Sequence, residues 1–171
     1  MLEFLKQTDS LCPPKSIFPR LEYYHKKHIY RTWSYLMLMF LCSALIGSMI
    51  FFTAVVSPSA FSSLESEESS KFLRVIFPRM FLFGALLSLL IGIIAVITNS
   101  HVLIIIGFFC SILFGLNRNY FTPRINASKD NNERNKFRVL HFWSVALFLI
   151  VLILMLGAVI WLQNMPSNSL G

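Results

Sequence analysis

Residues 33–56 read WSYLMLMFLCSALIGSMIFFTAVV, twenty-four positions without a charge. A bilayer core about 30 Å thick is crossed by about 20 apolar residues in a helix, so this run is long enough to span it. It follows 32 other residues and exceeds the h-region of a signal peptide, so an anchor is expected rather than a cleaved leader. Three further runs repeat the pattern: Met80 to Thr98, Val102 to Leu116 and Phe142 to Leu162. The third reaches spanning length if its helix continues through Asn117 to Tyr120, with Arg118 reaching back to the headgroups. Inside lipid each segment must satisfy its own backbone polar groups, and none of these runs alternates as a barrel strand would. The fold expected is therefore all-α, an integral membrane four-helix bundle with spans near 33–56, 78–98, 100–120 and 141–162. A basic, aromatic tail over 1–32 and a short polar tail over 163–171 flank the transmembrane domain of residues 33–162.

The composition agrees with that reading. The chain has 171 residues, 56% of them hydrophobic and 13% charged, and a mean hydropathy of +0.65. Soluble domains carry about twice that share of charge. The net charge of +7 comes from cations beside the spans, where they meet lipid headgroups, so membrane lipids and not nucleic acid are the expected partner. Three cysteines, Cys12, Cys42 and Cys110, have neither disulfide nor metal-ligand spacing.

Short connections make the bundle up-down-up-down. The N-terminus, the 99–101 turn and the C-terminus then share one end, and segments 57–77 and 118–141 share the other. Arg20, Lys26, Lys27 and Arg31 before the first span favour a cytoplasmic N-terminus, although the opposite end carries nine cations against six at this one. Within the spans, Gly84, Ser88 and Gly92 stand four apart, as do Gly107, Ser111 and Gly115. Small residues on one face let helix backbones approach closely, so these two stripes are expected to face each other as an antiparallel pair. Ser43 and Gly47 form a shorter version.

Between the first two spans lies SPSAFSSLESEESSKF, residues 57–72, with Glu65, Glu67 and Glu68 among its serines. Ser57-Pro58 and the S-x-x-E of Ser62–Glu65 both resemble helix starts. Phe61, Leu64, Phe72 and Ile76 recur on one side, which predicts a short amphipathic helix at the interface. It should break at Phe77, before Pro78, where the second span begins. Six cations in 118–138 oppose the glutamates, so the two segments could dock with Glu65 and Glu68 near Arg124 and with Phe61, Leu64 and Phe72 supplying the contact.

No nucleophile, base and acid set, phosphate loop or acid within a span is present. His101 and His141 fall at opposite ends of the bundle, too far apart to share a metal or clamp a haem. No cofactor, no metal and no catalytic residue are assigned.

Four motifs, SPSAF, IFPRMF, NRNYFTPRI and FRVLHFWS, resemble in order and placement those of the transmembrane protein 205-like family, known in bacteria as domain of unknown function 4149. The likeness covers about residues 40–160. Its matching positions are Pro58, Phe61, Phe77, Pro78, Asn117, Pro123, Phe137, Leu140, His141 and Ser144, and Arg79 stands where the family pattern has an aromatic residue. The resemblance implies a small integral membrane protein with no established activity. All its motifs fall at one end of the bundle. With Glu65, Glu68, Arg118 and Arg124 they make that end the candidate face for a small ligand or partner, a second copy of the chain or another membrane protein included. A non-enzymatic binding protein is the leading expectation. An oligomeric transporter component is the alternative, and a haem- or redox-associated protein the third.

Overall fold

A computed structural model describes residues 18–164, with side chains from Thr32 onward; the predicted features in residues 1–17 and 165–171 lie outside the described residues. Among the described residues six α-helices and two π turns follow one another: α1 (Phe18–Phe51), a π turn (Phe52–Val56), α2 (Ser57–Ser63), α3 (Ser66–Ile97), α4 (His101–Leu116), a second π turn (Asn117–Phe121), α5 (Thr122–Asp130) and α6 (Arg134–Gln163). The π turns join their neighbours without a break. Four helices long and apolar enough to cross a membrane result: Thr32–Ser63, Ser66–Ile97, His101–Asp130 and Arg134–Gln163. The protein is an all-α, multi-pass membrane bundle.

Each of these helices has 30 to 32 residues, about 45–48 Å at 1.5 Å per residue, and so exceeds a hydrocarbon core of about 30 Å. The surplus lies at one end. Trp143 and Trp161 on α6 are about 27 Å apart along the axis, the spacing of two interfacial aromatic belts. With Trp33 taken as the counterpart of Trp161 and Tyr120 as that of Trp143 on the neighbouring spans, the first turns of α3 and α6 and all of α2 and α5 project beyond the apolar band. This projecting end is called the outer end below.

Two tight turns reverse the chain. After α3, Asn99 adopts φ 55°, the Ser100 N–H donates to the Ala95 carbonyl and the Asn99 N–H to that of Val96. After α5, Asn132 at φ 58° does the same, with Glu133 donating to Ser128 and itself donating to Lys129. Both are Schellman ends, in which asparagine tolerates the left-handed position that glycine usually fills.

The link between the first two spans differs from the sequence expectation. A short helix, α2, does stand there, but it prolongs the first span. Its N-terminal neighbour Val56 is helical and no side chain caps it, so Ser57 starts nothing. Nor does Ser62 form the predicted box, because its hydroxyl donates to the Ser59 carbonyl. The chain breaks at Leu64 (φ −115°, ψ 149°) and Glu65 (φ −60°, ψ 155°), and α3 then runs without interruption through Phe77 and Pro78. Pro78 offers no N–H to the Arg74 carbonyl, and Arg74 lies outside the apolar band where water can take that role. The helix therefore tolerates a proline that would be costly deeper in lipid.

The small-residue stripes on α3 and α4 run antiparallel, in the register Gly92–Gly107, Ser88–Ser111 and Gly84–Gly115. Their contacts change along the seam. A methyl group on Gly107 would lie 2.6 Å from the Gly92 nitrogen and 3.0 Å from the Ser88 carbonyl. One turn outward, the Ser111 hydroxyl donates to the Ala85 carbonyl across 3.0 Å. Further out, the Phe114 ring covers Gly84, and Gly115 faces open space. The seam thus passes from backbone contact to an aromatic filling toward the outer end. Ser43 and Gly47 are exposed, and Cys42 and Cys110 are buried free thiols.

Candidate ligand-binding site

Both π turns end at the same kind of sequence step, Ser57-Pro58 and Thr122-Pro123. Proline has no N–H for the carbonyl four residues back and its ring crowds that group, so an α-helix cannot pass it unchanged. A turn widened by one residue removes the conflict. The Ser57 N–H donates to the Phe52 carbonyl and the Thr122 N–H to the Asn117 carbonyl, in each case five residues back. The Thr122 hydroxyl adds a bond of 2.8 Å to the same Asn117 carbonyl. Buried Asn117 then donates from Nδ2 to the Ser144 carbonyl on α6 at 3.1 Å, which ties the second π turn to the last helix. Such turns are frequent at functional sites.

Above the level of these turns the helices enclose a cavity of about 390 Å³. Its floor is aromatic. Phe52 meets Phe77 edge-on with ring centres 5.1 Å apart, Phe77 stacks on Phe81 at 6.1 Å, and Phe81 meets Phe148 at 6.5 Å. Pairs of this kind add about 0.5–1.5 kcal/mol each beyond area burial, and here they close the bundle below the cavity. The walls carry Thr53, Ser57, Thr122, Asn126 and Ser144, and the rim carries Arg74, Lys129 and His141.

Two polar contacts hold the rim. Arg74 makes a bidentate pair with Asp130, its Nη1 donating to Oδ2 at 3.0 Å and its Nη2 to Oδ1. Lys129 Nζ donates to the Ser70 hydroxyl at 2.6 Å. Asp130 stands at the outer tip of α5, beyond the apolar band, and the Arg74 hydrogen bonds hold its carboxyl below the ordinary carboxylate value. Segments 66–77 and 118–138 do meet, but with signs opposite to those expected. The cation belongs to α3 and the carboxylate to α5. Glu67 pairs locally with Lys71 at 2.6 Å, while Glu65 and Glu68 are exposed and make no ion pair among the described residues. Phe72 and Leu64 are also exposed; inward-facing Leu73 and Phe77 occupy the positions expected of them.

Of the residues singled out in the sequence, Phe61, Phe77, His141 and Ser144 line the cavity. The His141 ring lies parallel to that of Phe137, 5.7 Å away. Asn117 stands behind the wall. Arg124 lies with its guanidinium carbon 3.5 Å from the Tyr120 ring centre, a cation–π pair facing away from the cavity. Pro58 and Pro123 are exposed near the starts of their helices, and Pro78 and Arg118 are half-buried; none of the four lines the cavity. Sequence reasoning missed Thr53, Ser70 and Thr122 as cavity residues, and took Arg74, Lys129 and Asp130 only as loop charges. The signal available was the repeated Ser/Thr-Pro step at the outer end of two apolar runs.

A bundle of four membrane helices with a ligand-sized cavity at one boundary defines the class. The chain belongs to the domain of unknown function (DUF4149) family, whose model matches residues 40–134, more than half of its length. That match takes in both π turns, α2 and α5, and it ends before the FRVLHFWS motif of α6. No curated protein and no solved structure matches the chain.

Proposed function

We propose that the protein is a non-enzymatic membrane protein that binds a small ligand in the outer cavity. The observation that carries this is the cavity itself, about 390 Å³ lined from all four membrane helices, within the range of about 300–1,000 Å³ typical of ligand sites. Its mixture of an apolar floor with a few polar groups at the rim suits orientation of a ligand more than bond chemistry. The one histidine on the rim stacks on Phe137 and makes no hydrogen bond to a hydroxyl or carboxylate among the described residues. The transporter reading is weaker for a single bundle, because the Phe52–Phe77–Phe81–Phe148 cluster closes the path inward. The likeness of its motifs to the transmembrane protein 205-like family extends the same reading to relatives that carry both Ser/Thr-Pro steps. The basic residues before the first span support an N-terminus in the cytoplasm, the likeness to a family known in bacteria supports a bacterial inner membrane, and the cavity then opens on the far side.

The test is purification from native membranes of the wild type and of Val145→Trp, which fills the cavity from α6, followed by mass spectrometry of extracted small molecules. A compound retained by the wild type and lost from the variant is expected. Indistinguishable extracts would sink the reading. Impermeant labelling of single cysteines at positions 65 and 164, one at each end, checks orientation.

A further inference from the structure

The cavity changes character along the bundle axis, and that gradient specifies a ligand. At the bottom lie Phe52, Phe81 and Phe148, at the edge of the apolar band. At the top lie Arg74 and Lys129, about two turns further out along their helices, where headgroups and water begin. The carboxylate facing this pair of cations is Asp130, so the rim is positive by one unit, with the His141 ring beside it. A guanidinium carries five N–H donors and an ammonium three. Asp130 takes two of the former and Ser70 one of the latter. Donor capacity therefore remains for an anion without breaking either contact.

The cavity also opens sideways. Helix α1 packs against α6, but beyond Phe51 the backbones diverge: no Cα of the first π turn or of α2 lies within 8 Å of one in α5 or α6. The gap between them is the cavity, because Phe61 on one side and Val145 on the other both line it while being 66% and 50% exposed. This gap opens at the level of Trp143, where acyl chains meet headgroups, and runs outward along α2. A volume of about 390 Å³ equals roughly thirteen waters at about 30 Å³ each. That holds one hydrocarbon chain of moderate length.

We propose that the cavity takes a single-chain amphiphile with an anionic headgroup, admitted from the surrounding leaflet between the first π turn and α6. Its chain lies on the phenylalanine floor and its head meets Arg74 and Lys129. This rests on the reading of the cavity as a ligand site and adds to it the ligand's chemistry and route.

The full-length protein in phosphatidylcholine nanodiscs is labelled with a diazirine-bearing dodecyl phosphate. Unlabelled dodecyl phosphate, dodecanol and inorganic phosphate are then tested as competitors. Saturable labelling within residues 52–61 or 137–148 is expected, with dodecyl phosphate competing at least about tenfold better than dodecanol and inorganic phosphate failing, since two surface cations each contribute about fivefold. Lys129→Gln should weaken dodecyl phosphate about fivefold and leave dodecanol unchanged. Val145→Trp should abolish labelling, and Thr53→Trp, which fills the cavity from the first π turn, serves if that variant does not fold. Labelling lost in the filled variants but competed equally by dodecanol would overturn the anionic class and leave the cavity a ligand site. Competition by inorganic phosphate as strong as by dodecyl phosphate would overturn the amphiphile. Labelling unchanged by both filling substitutions would overturn the proposal together with the reading it rests on.

Discussion

The inner and outer halves of this bundle are built from the same helices but packed by different rules. In the inner half α3 and α4 touch backbone to backbone at Gly92 and Gly107, as small residues allow where no hydrophobic effect draws helices together in lipid. In the outer half the same stripe continues through Gly84 and Gly115, yet a phenylalanine ring fills the seam at Gly84 and Gly115 faces open space. There the contacts are aromatic and ionic, and they surround space instead of excluding it. A small-residue motif thus permits close approach without enforcing it. Both widened turns, at Phe52–Val56 and Asn117–Phe121, belong to this outer half.

The largest effect that separates the halves is expected at the two ends of one motif. Gly107→Val would drive a branched side chain into the Gly92 backbone and should cost about 3 kcal/mol, with Gly107→Ala costing about 1–2 kcal/mol even though alanine favours the helix. Gly115→Ala meets nothing within 4 Å and should match or exceed the wild type by up to about 1 kcal/mol. Equilibrium unfolding in detergent measures all three. If Gly107→Ala and Gly115→Ala behave alike, the halves are packed alike and the comparison fails.

A smaller effect on stability, with a larger one on geometry, is expected from Pro58→Ala. The π turn already accommodates most of the roughly 3 kcal/mol that proline costs inside a helix, so stability should move by about 1 kcal/mol or less. Restoring the N–H lets the turn relax to an α-helix, and removing one residue of overhang rotates α2 by about 100°. Phe61 then leaves the cavity. Labelling of a cysteine scanned through positions 57–63 should shift its accessible face by one residue in the alanine variant. An unchanged pattern would show that the proline does not hold the turn.

Much of the inner half was legible in the sequence, because length, lack of charge and four-residue spacing are one-dimensional signals of span and seam. The outer half was legible in location only. SPSAF and TPRI marked the right places, but Ser57-Pro58 was read as a helix start, since a proline near a helix terminus and a proline after a π turn leave the same letters. Continuity through Phe77-Pro78 depends on whether the Arg74 carbonyl reaches water, which follows from its depth and not from its neighbours in sequence. The crossing pairs were misjudged for a related reason. Net charge pointed to glutamates meeting cations, but on the outer turns of α3 the helix period turns Arg74 and Ser70 inward and leaves Glu65 and Glu68 outside.

The smallest effect belongs to the pair that joins α3 to α5. Arg74 and Asp130 are partly and largely exposed, and exposed pairs contribute little to folding even when bidentate. The Asp130 carboxyl has a folded-state pKa below its ordinary value of 3.8, so whatever it contributes is fully present at neutral pH and is lost as pH falls below about 4, through the folded value. Asp130→Asn should therefore lower the unfolding midpoint slightly at pH 7 in low salt, and the difference should fade both in acid and at high ionic strength, where a Debye length of about 3 Å screens it. A double-mutant cycle with Arg74→Gln isolates the pair. A large coupling that survives 1 M salt would mean that the outer end is clamped as firmly as the glycine seam. A small, screened one leaves the Ser70–Lys129 and Arg74–Asp130 contacts a different role, which is to keep two cations aimed at the rim while the helices around them stay apart.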